Sequence, residues 1–137
     1  MAEAVKKPRP EFRNIGIGQI TTAYRLPLAG RVSILHRVSG VLLFVCLPFL
    51  LYLFEQSLTS TVTFDAFKAV LSNLVVKVVV LVLTWAFLLH FCAGLRYLLM
   101  DTHRAVSKQD GKKTAAVVAI VSSLLTIAFA LKLFGAF

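Results

Sequence analysis

The sequence predicts an all-α membrane protein with three transmembrane helices, the N-terminus inside and the C-terminus outside. Three observations lead there. The 137 residues are 58% hydrophobic, with a mean hydropathy of +0.84, above the roughly half-apolar make-up of a soluble domain. Three stretches, about 32–54, 74–100 and 114–136, each hold enough apolar residues to cross a bilayer, which takes about 20. Finally, the basic residues are segregated. Residues 1–37 carry Lys6, Lys7, Arg9, Arg13, Arg25, Arg31 and Arg37 against Glu3 and Glu11, and residues 96–113 carry Arg96, Arg104, Lys108, Lys112 and Lys113 against Asp101 and Asp110. The segment between, 55–73, has only Lys68 against Glu55 and Asp65. Lys and Arg collect on the cytoplasmic side of a membrane, and this alternation fixes the expected orientation.

Taken in order, residues 1–30 form an irregular arm at the inner surface, broken by Pro8, Pro10, Gly16, Gly18, Pro27 and Gly30. The arm is polar and basic from its start, unlike a signal peptide with its early apolar core. Residues 31–137 form the transmembrane domain. Helix one starts near Gly30–Ser33 and runs to about Phe54, with Pro48 as an expected kink. "EQSLTSTVTFDAF" is the expected outer loop, and residues 65–73 lead helically into span two. Lys77 snorkels at the outer boundary. "THRAVSKQDGKK" is the inner loop, closed by Gly111. Span three carries Lys132 near its outer end, and Ser122 and Ser123 suit hydrogen bonding within or between helices. Cys46 and Cys92 lie inside spans at no paired spacing and read as small packing residues. The net charge of +9 belongs to lipid head groups. Nucleic-acid binding is set aside, because no stacking aromatics accompany a basic soluble face.

Two clusters carry possible chemistry. His90 lies in span two, six residues before Arg96 and eleven before Asp101, which puts it roughly 9–16 Å from the inner surface at 1.5 Å per residue. An ionisable side chain at that depth is a functional candidate; the plain alternative is a neutral His bonded to a neighbouring helix. Phe87, His90, Gly94, Tyr97 and Asp101 share one helical face. Gly94, one turn from the imidazole, would leave room for a flat macrocycle, and haem iron is commonly held by axial His; close helix packing at Gly94 is the compatible alternative. The chain's other histidines, His36 and His103, are expected near the inner surface, too shallow to reach the same iron. A second axial ligand would then come from another polypeptide.

The second cluster is "SILHRVSG", residues 33–40. Ser33, Arg37 and Gly40 fall on one face, with His36 one position round. A hydroxyl and a guanidinium can hydrogen-bond a quinone carbonyl or a propionate, and Arg stays charged throughout. His36 can pass protons near neutral pH. Arg31 reads as a lipid-phosphate anchor, and Arg37 has that same alternative. Asp101 reads either as an interfacial charge paired with Arg96 or Arg104, or as a proton supply.

"SILHRVSG" before a span, followed by "HFCAGLRYLLMD" (residues 90–101) ending the next, resembles the cytochrome b membrane-anchor subunit of bacterial succinate dehydrogenase, respiratory complex II. "KKPRP" in the arm is similar as well, and the resemblance spans essentially the whole chain. It implies that His90 is an axial ligand of haem b, shared with a second small anchor subunit that completes the helical bundle. It implies that Ser33 and Arg37 line a ubiquinone site, that His36 lies by the haem propionates, and that Asp101 lies near the proton route. It also implies an iron–sulfur subunit and a flavoprotein subunit as partners, and the bacterial inner membrane as location. Some bacterial relatives carry His where this chain has Tyr97, which changes local contacts but not the axial ligand. With no flavin or cluster motif, the chain is expected to act as one component of the enzyme, without independent activity. The competing readings are a haem-free structural anchor or small transporter, and the anchor of a fumarate reductase using menaquinone.

Overall fold

In the computed structural model, residues 16–18, 26–104 and 106–135 are described; most of the arm, with its "KKPRP", lies outside them. The described chain contains four helices: α1 Leu28–Thr59, α2 Thr61–Ser72, α3 Leu74–Asp101 and α4 Lys108–Leu133. Three of them, α1, α3 and α4, are long and apolar enough to cross a membrane, so the predicted helical membrane fold is the observed one.

The boundaries differ from expectation in three instructive places. Helix α1 begins at Leu28, directly after Pro27 in extended conformation. Pro27 takes the N-cap position, and its fixed ring suits the start of a helix better than its interior. The helix continues past Phe54 to Thr59, through Pro48, so the residues expected as an outer loop are largely helical. Ser60 is the single residue between α1 and α2. Its hydroxyl accepts the Thr63 amide while the Thr63 hydroxyl accepts the Ser60 amide, a reciprocal cap that satisfies two orphan donors. Asn73 then separates α2 from α3, with its side chain accepting the Val75 amide. Gly111 closes no loop. Helix α4 is already under way at Lys108, capped by Ser107, whose hydroxyl accepts the Asp110 amide at 3.1 Å.

Helix α3 is central, packing against both α1 and α4. Its buried residues are Ala86, Leu89, Ala93 and Arg96, one stripe at helical spacing. The fully buried positions of the bundle are small: Ala86, Ala93, Ala115 and Ser122. Small side chains let helices approach closely, which is how association is won where lipid removes the hydrophobic drive. Val32, Ala93, Ala115 and Val118 form the core cluster, with Leu28, Ala29, Cys92 and Tyr97 packed on it. Those residues join the start of α1, the end of α3 and the start of α4. Phe44, Phe87, Phe91, Leu124 and many other large apolar side chains face outward, as a bilayer requires.

Arg96 is buried at 6% exposure. Its Nε donates to Thr114 Oγ1 at 3.0 Å and its Nη2 to the Gly111 carbonyl at 3.4 Å, and its guanidinium lies 5.3 Å from the Tyr97 ring centroid. Neither Arg96 nor Arg104 forms an ion pair with Asp101 among the described residues. Arg96 therefore clamps α3 to α4 through a hydroxyl and a carbonyl. Arg96→Ala is expected to destabilise the bundle by about 1–2 kcal/mol, the scale of polar contacts between membrane helices. Thermal unfolding of the detergent-solubilised complex measures it.

Candidate functional site

His90 and His36 meet where α1 crosses α3. Their rings stack with centroids 4.1 Å apart and planes within 12°. His36 is thus level with His90, not shallower. The reason is the early start of α1: His36 is its ninth residue, about 12 Å along the helix at 1.5 Å per residue. Parallel stacked rings do not face each other across an iron, so a haem bound to His90 would not have His36 as its second ligand in this arrangement.

The space beside Gly94 is occupied as well. The nearest neighbour to a Cβ built there is His36 Nε2 at 3.9 Å, and the Tyr97 ring lies 5.2 Å from that of His36. The face of α3 bearing His90, Gly94 and Tyr97 packs against His36. The glycine that admits the imidazole is Gly40 on α1: a Cβ there would sit 2.8 Å from His90 Cε1 and 3.3 Å from Nδ1.

His90 Nδ1 is 3.0 Å from the His36 carbonyl oxygen and 3.3 Å from Ser39 Oγ. Ser39, at 3% exposure, donates its own hydroxyl to the same His36 carbonyl at 2.9 Å. A carbonyl only accepts, so at 3.0 Å the Nδ1 position must carry the proton. The remaining lone pair of the imidazole is then on Nε2. A metal-ligating His almost always donates its other ring N–H in this way, which fixes tautomer and orientation. His90 is half-buried, and an apolar groove of about 270 Å³ begins one turn deeper, lined by Leu43, Leu50, Val80, Leu83, Thr84 and Phe87. Among the described residues no three His, Cys, Asp or Glu side chains converge on a bare metal ion. What the chain offers is one oriented imidazole beside an apolar surface, which fits a macrocycle-held iron.

The other site residues expected from the sequence are placed less tightly. Ser33 is half-buried and Arg37 exposed on α1. Asp101 is the exposed last residue of α3. Residues Ser39 and Arg96 are the ones that sequence reasoning passed over. Ser39 had a signal, since it stands three positions after His36, where a Ser can bond back to the carbonyl. Arg96 had one too: it shares the helical stripe of Ala86, Leu89 and Ala93 and so points into the packing face.

Comparison with known proteins identifies the family. Residues 6–129 match the family model described as succinate dehydrogenase/fumarate reductase transmembrane subunit. Among curated proteins, the chain is 33% identical over 107 residues to the succinate dehydrogenase cytochrome b556 subunit of Coxiella burnetii, covering 77% of this chain and 86% of that protein. It is 32% identical over 108 residues to the subunit of the same description from Rickettsia bellii, covering 77% and 82%. With three apolar helices and a family match over nearly its whole length, the chain is a multi-pass bacterial membrane protein that belongs to the succinate dehydrogenase/fumarate reductase transmembrane subunit family, as a cytochrome b membrane anchor of succinate dehydrogenase.

Proposed function

We propose that this anchor subunit holds haem b through His90, together with a second small anchor subunit, and forms one wall of the site where ubiquinone is reduced with electrons from succinate. The observation that carries the haem part is the commitment of His90 Nδ1–H to the His36 carbonyl, which leaves Nε2 as the donor. The names of the curated relatives, cytochrome b556 subunits, support the same cofactor. When bound, haem b supplies a one-electron redox centre.

The remaining roles belong to this chain's own side chains. His36 covers one face of the His90 ring and so restricts its rotation. The partner anchor subunit would supply the other protein ligand to the haem, since the His36 ring lies stacked on that of His90. Exposed Arg37, one residue from His36 on α1, presents a permanent positive charge to a propionate or to a quinone oxygen gaining electron density. Ser33, one turn before Arg37, offers a hydroxyl that donates to a quinone carbonyl. Asp101 at the end of α3 accepts and releases protons at the interface, as the two-proton reduction of a quinone demands. These groups stand on the inner side with the basic segments, facing the iron–sulfur and flavoprotein subunits. The chain acts within the complex and has no activity alone.

Purification of the native assembly tests the whole proposal. A b-type reduced-minus-oxidised spectrum is expected in an assembly containing flavin and iron–sulfur subunits; a stable haem-free oligomer of this chain alone would overturn it. For the quinone wall, Arg37→Ala is expected to cut quinone reduction by at least tenfold, on the order of one lost charge-assisted hydrogen bond. Succinate oxidation with a soluble artificial acceptor should remain near wild type. Equal loss of both activities would point to failed assembly instead.

A further inference from the structure

We infer that Ser39 is a positioning residue for the haem ligand: its hydroxyl, oriented by donating to the His36 carbonyl of α1, presents its oxygen as a second acceptor to the Nδ1–H of His90 on α3. The inference rests on His90 being the axial ligand. Three polar groups meet at this point, and their protons can be counted. The His36 carbonyl contributes acceptors only. Ser39 Oγ contributes one proton, given to that carbonyl at 2.9 Å. His90 Nδ1 contributes one proton, given to the same oxygen at 3.0 Å. With its proton committed, Ser39 Oγ faces Nδ1 at 3.3 Å as a second, longer acceptor. The arrangement is consistent only with the Nδ1–H tautomer.

Inside a helix a carbonyl is ordinarily engaged by the amide four residues on, and is a poor acceptor for a neighbouring helix. A Ser that bonds back to its i−3 carbonyl competes with that ladder and bends the helix locally. Here the residue that back-bonds is at 3% exposure, directly at the crossing with α3, and the carbonyl it bonds is the one His90 uses. The next residue, Gly40, supplies the missing side chain into which the ring fits. The pair Ser39–Gly40 thus does for His90 what a carboxylate does in other metal sites: it fixes the tautomer, orients the ring and raises the donor strength of Nε2.

The test uses the full assembled complex carrying Ser39→Ala, Ser39→Thr or His90→Ala, with subunit content verified in each. Two readouts are taken: the rate of haem transfer to excess apomyoglobin, and the haem midpoint potential from a redox titration. Ser39→Ala is expected to lose haem about tenfold faster, the lower end of what removing an outer-shell partner costs. Its potential should move upward, because a less strongly hydrogen-bonded imidazole donates less to the oxidised iron. Ser39→Thr keeps a hydroxyl able to make the same back-bond and should restore both values. Wild-type behaviour of Ser39→Ala would overturn the inference while leaving the ligand assignment intact, provided His90→Ala lacks haem. Equal impairment of the Ala and Thr variants would overturn it too, since volume rather than the hydroxyl would then matter. Haem retained in His90→Ala would remove the underlying reading, and the role of Ser39 with it.

Discussion

Replacing His90 by Ala is expected to remove the b-type haem from the assembled complex. The substitution deletes the Nε2 donor and, with it, the bond from Nδ1–H to the His36 carbonyl and the stacking surface of His36. The α band in the reduced-minus-oxidised spectrum should vanish, while the subunits of the complex still co-purify, because the buried stripe of α3 (Ala86, Leu89, Ala93 and Arg96) is untouched. A difference spectrum of unchanged position and intensity would show that iron is bound elsewhere.

The second large effect is expected from Gly40→Ala, a change that adds one methyl group. Its Cβ would lie 2.8 Å from His90 Cε1, well inside van der Waals contact, and the obstacle is a ring held on two sides rather than a flexible chain end. Either the imidazole swings off the His36 carbonyl or α1 and α3 move apart. Overpacking of this kind costs about 1–3 kcal/mol, and if the ring yields, haem affinity falls roughly tenfold for each 1.4 kcal/mol. Gly94→Ala provides the contrast, since the added methyl meets only His36 Nε2 at 3.9 Å, an ordinary contact. Haem content per complex should therefore fall markedly in Gly40→Ala, and protein packing should be undisturbed in Gly94→Ala. The same haem occupancy in Gly40→Ala as in wild type would mean that the ring does not sit against α1 in the assembled state.

Much of this was legible in the sequence, for definite reasons. Spans are set by runs of apolar residues that have to fill a fixed thickness of hydrocarbon, so α3 was readable to within a residue at each end. His90 stood out because an imidazole amid "WAFLL" and "FCAGL" has no cheap place in lipid. The errors came where local chemistry, not hydropathy, decides. Pro27 lets α1 start four residues before the predicted span, and that offset carried His36 to the level of His90. The reciprocal cap of Ser60 and Thr63 turned an expected loop into helix. Gly94 was read as the space beside the ring, whereas Gly40 holds that place. A helical wheel shows which residues of one helix share a face, but not which glycine of a neighbouring helix lies opposite. Ser39 was missed for a related reason: its spacing from His36 shows that a bond back to the carbonyl is allowed, but not which side chain of the neighbouring helix meets that carbonyl.

Among the described residues, one polar side chain of α3 is bonded across each of two helix crossings: His90 to the His36 carbonyl and Ser39 between α1 and α3, and Arg96 to Thr114 and Gly111 between α3 and α4. Apolar seams tolerate sliding, but a hydrogen bond does not survive a vertical slip of even one residue, about 1.5 Å. These two side chains therefore act as pins that fix the heights of the three spans relative to one another. When the surrounding bilayer thickens or thins, the helices must answer by tilting together. The depth of the His90 imidazole is thereby tied to the bundle's own frame rather than to the lipid around it.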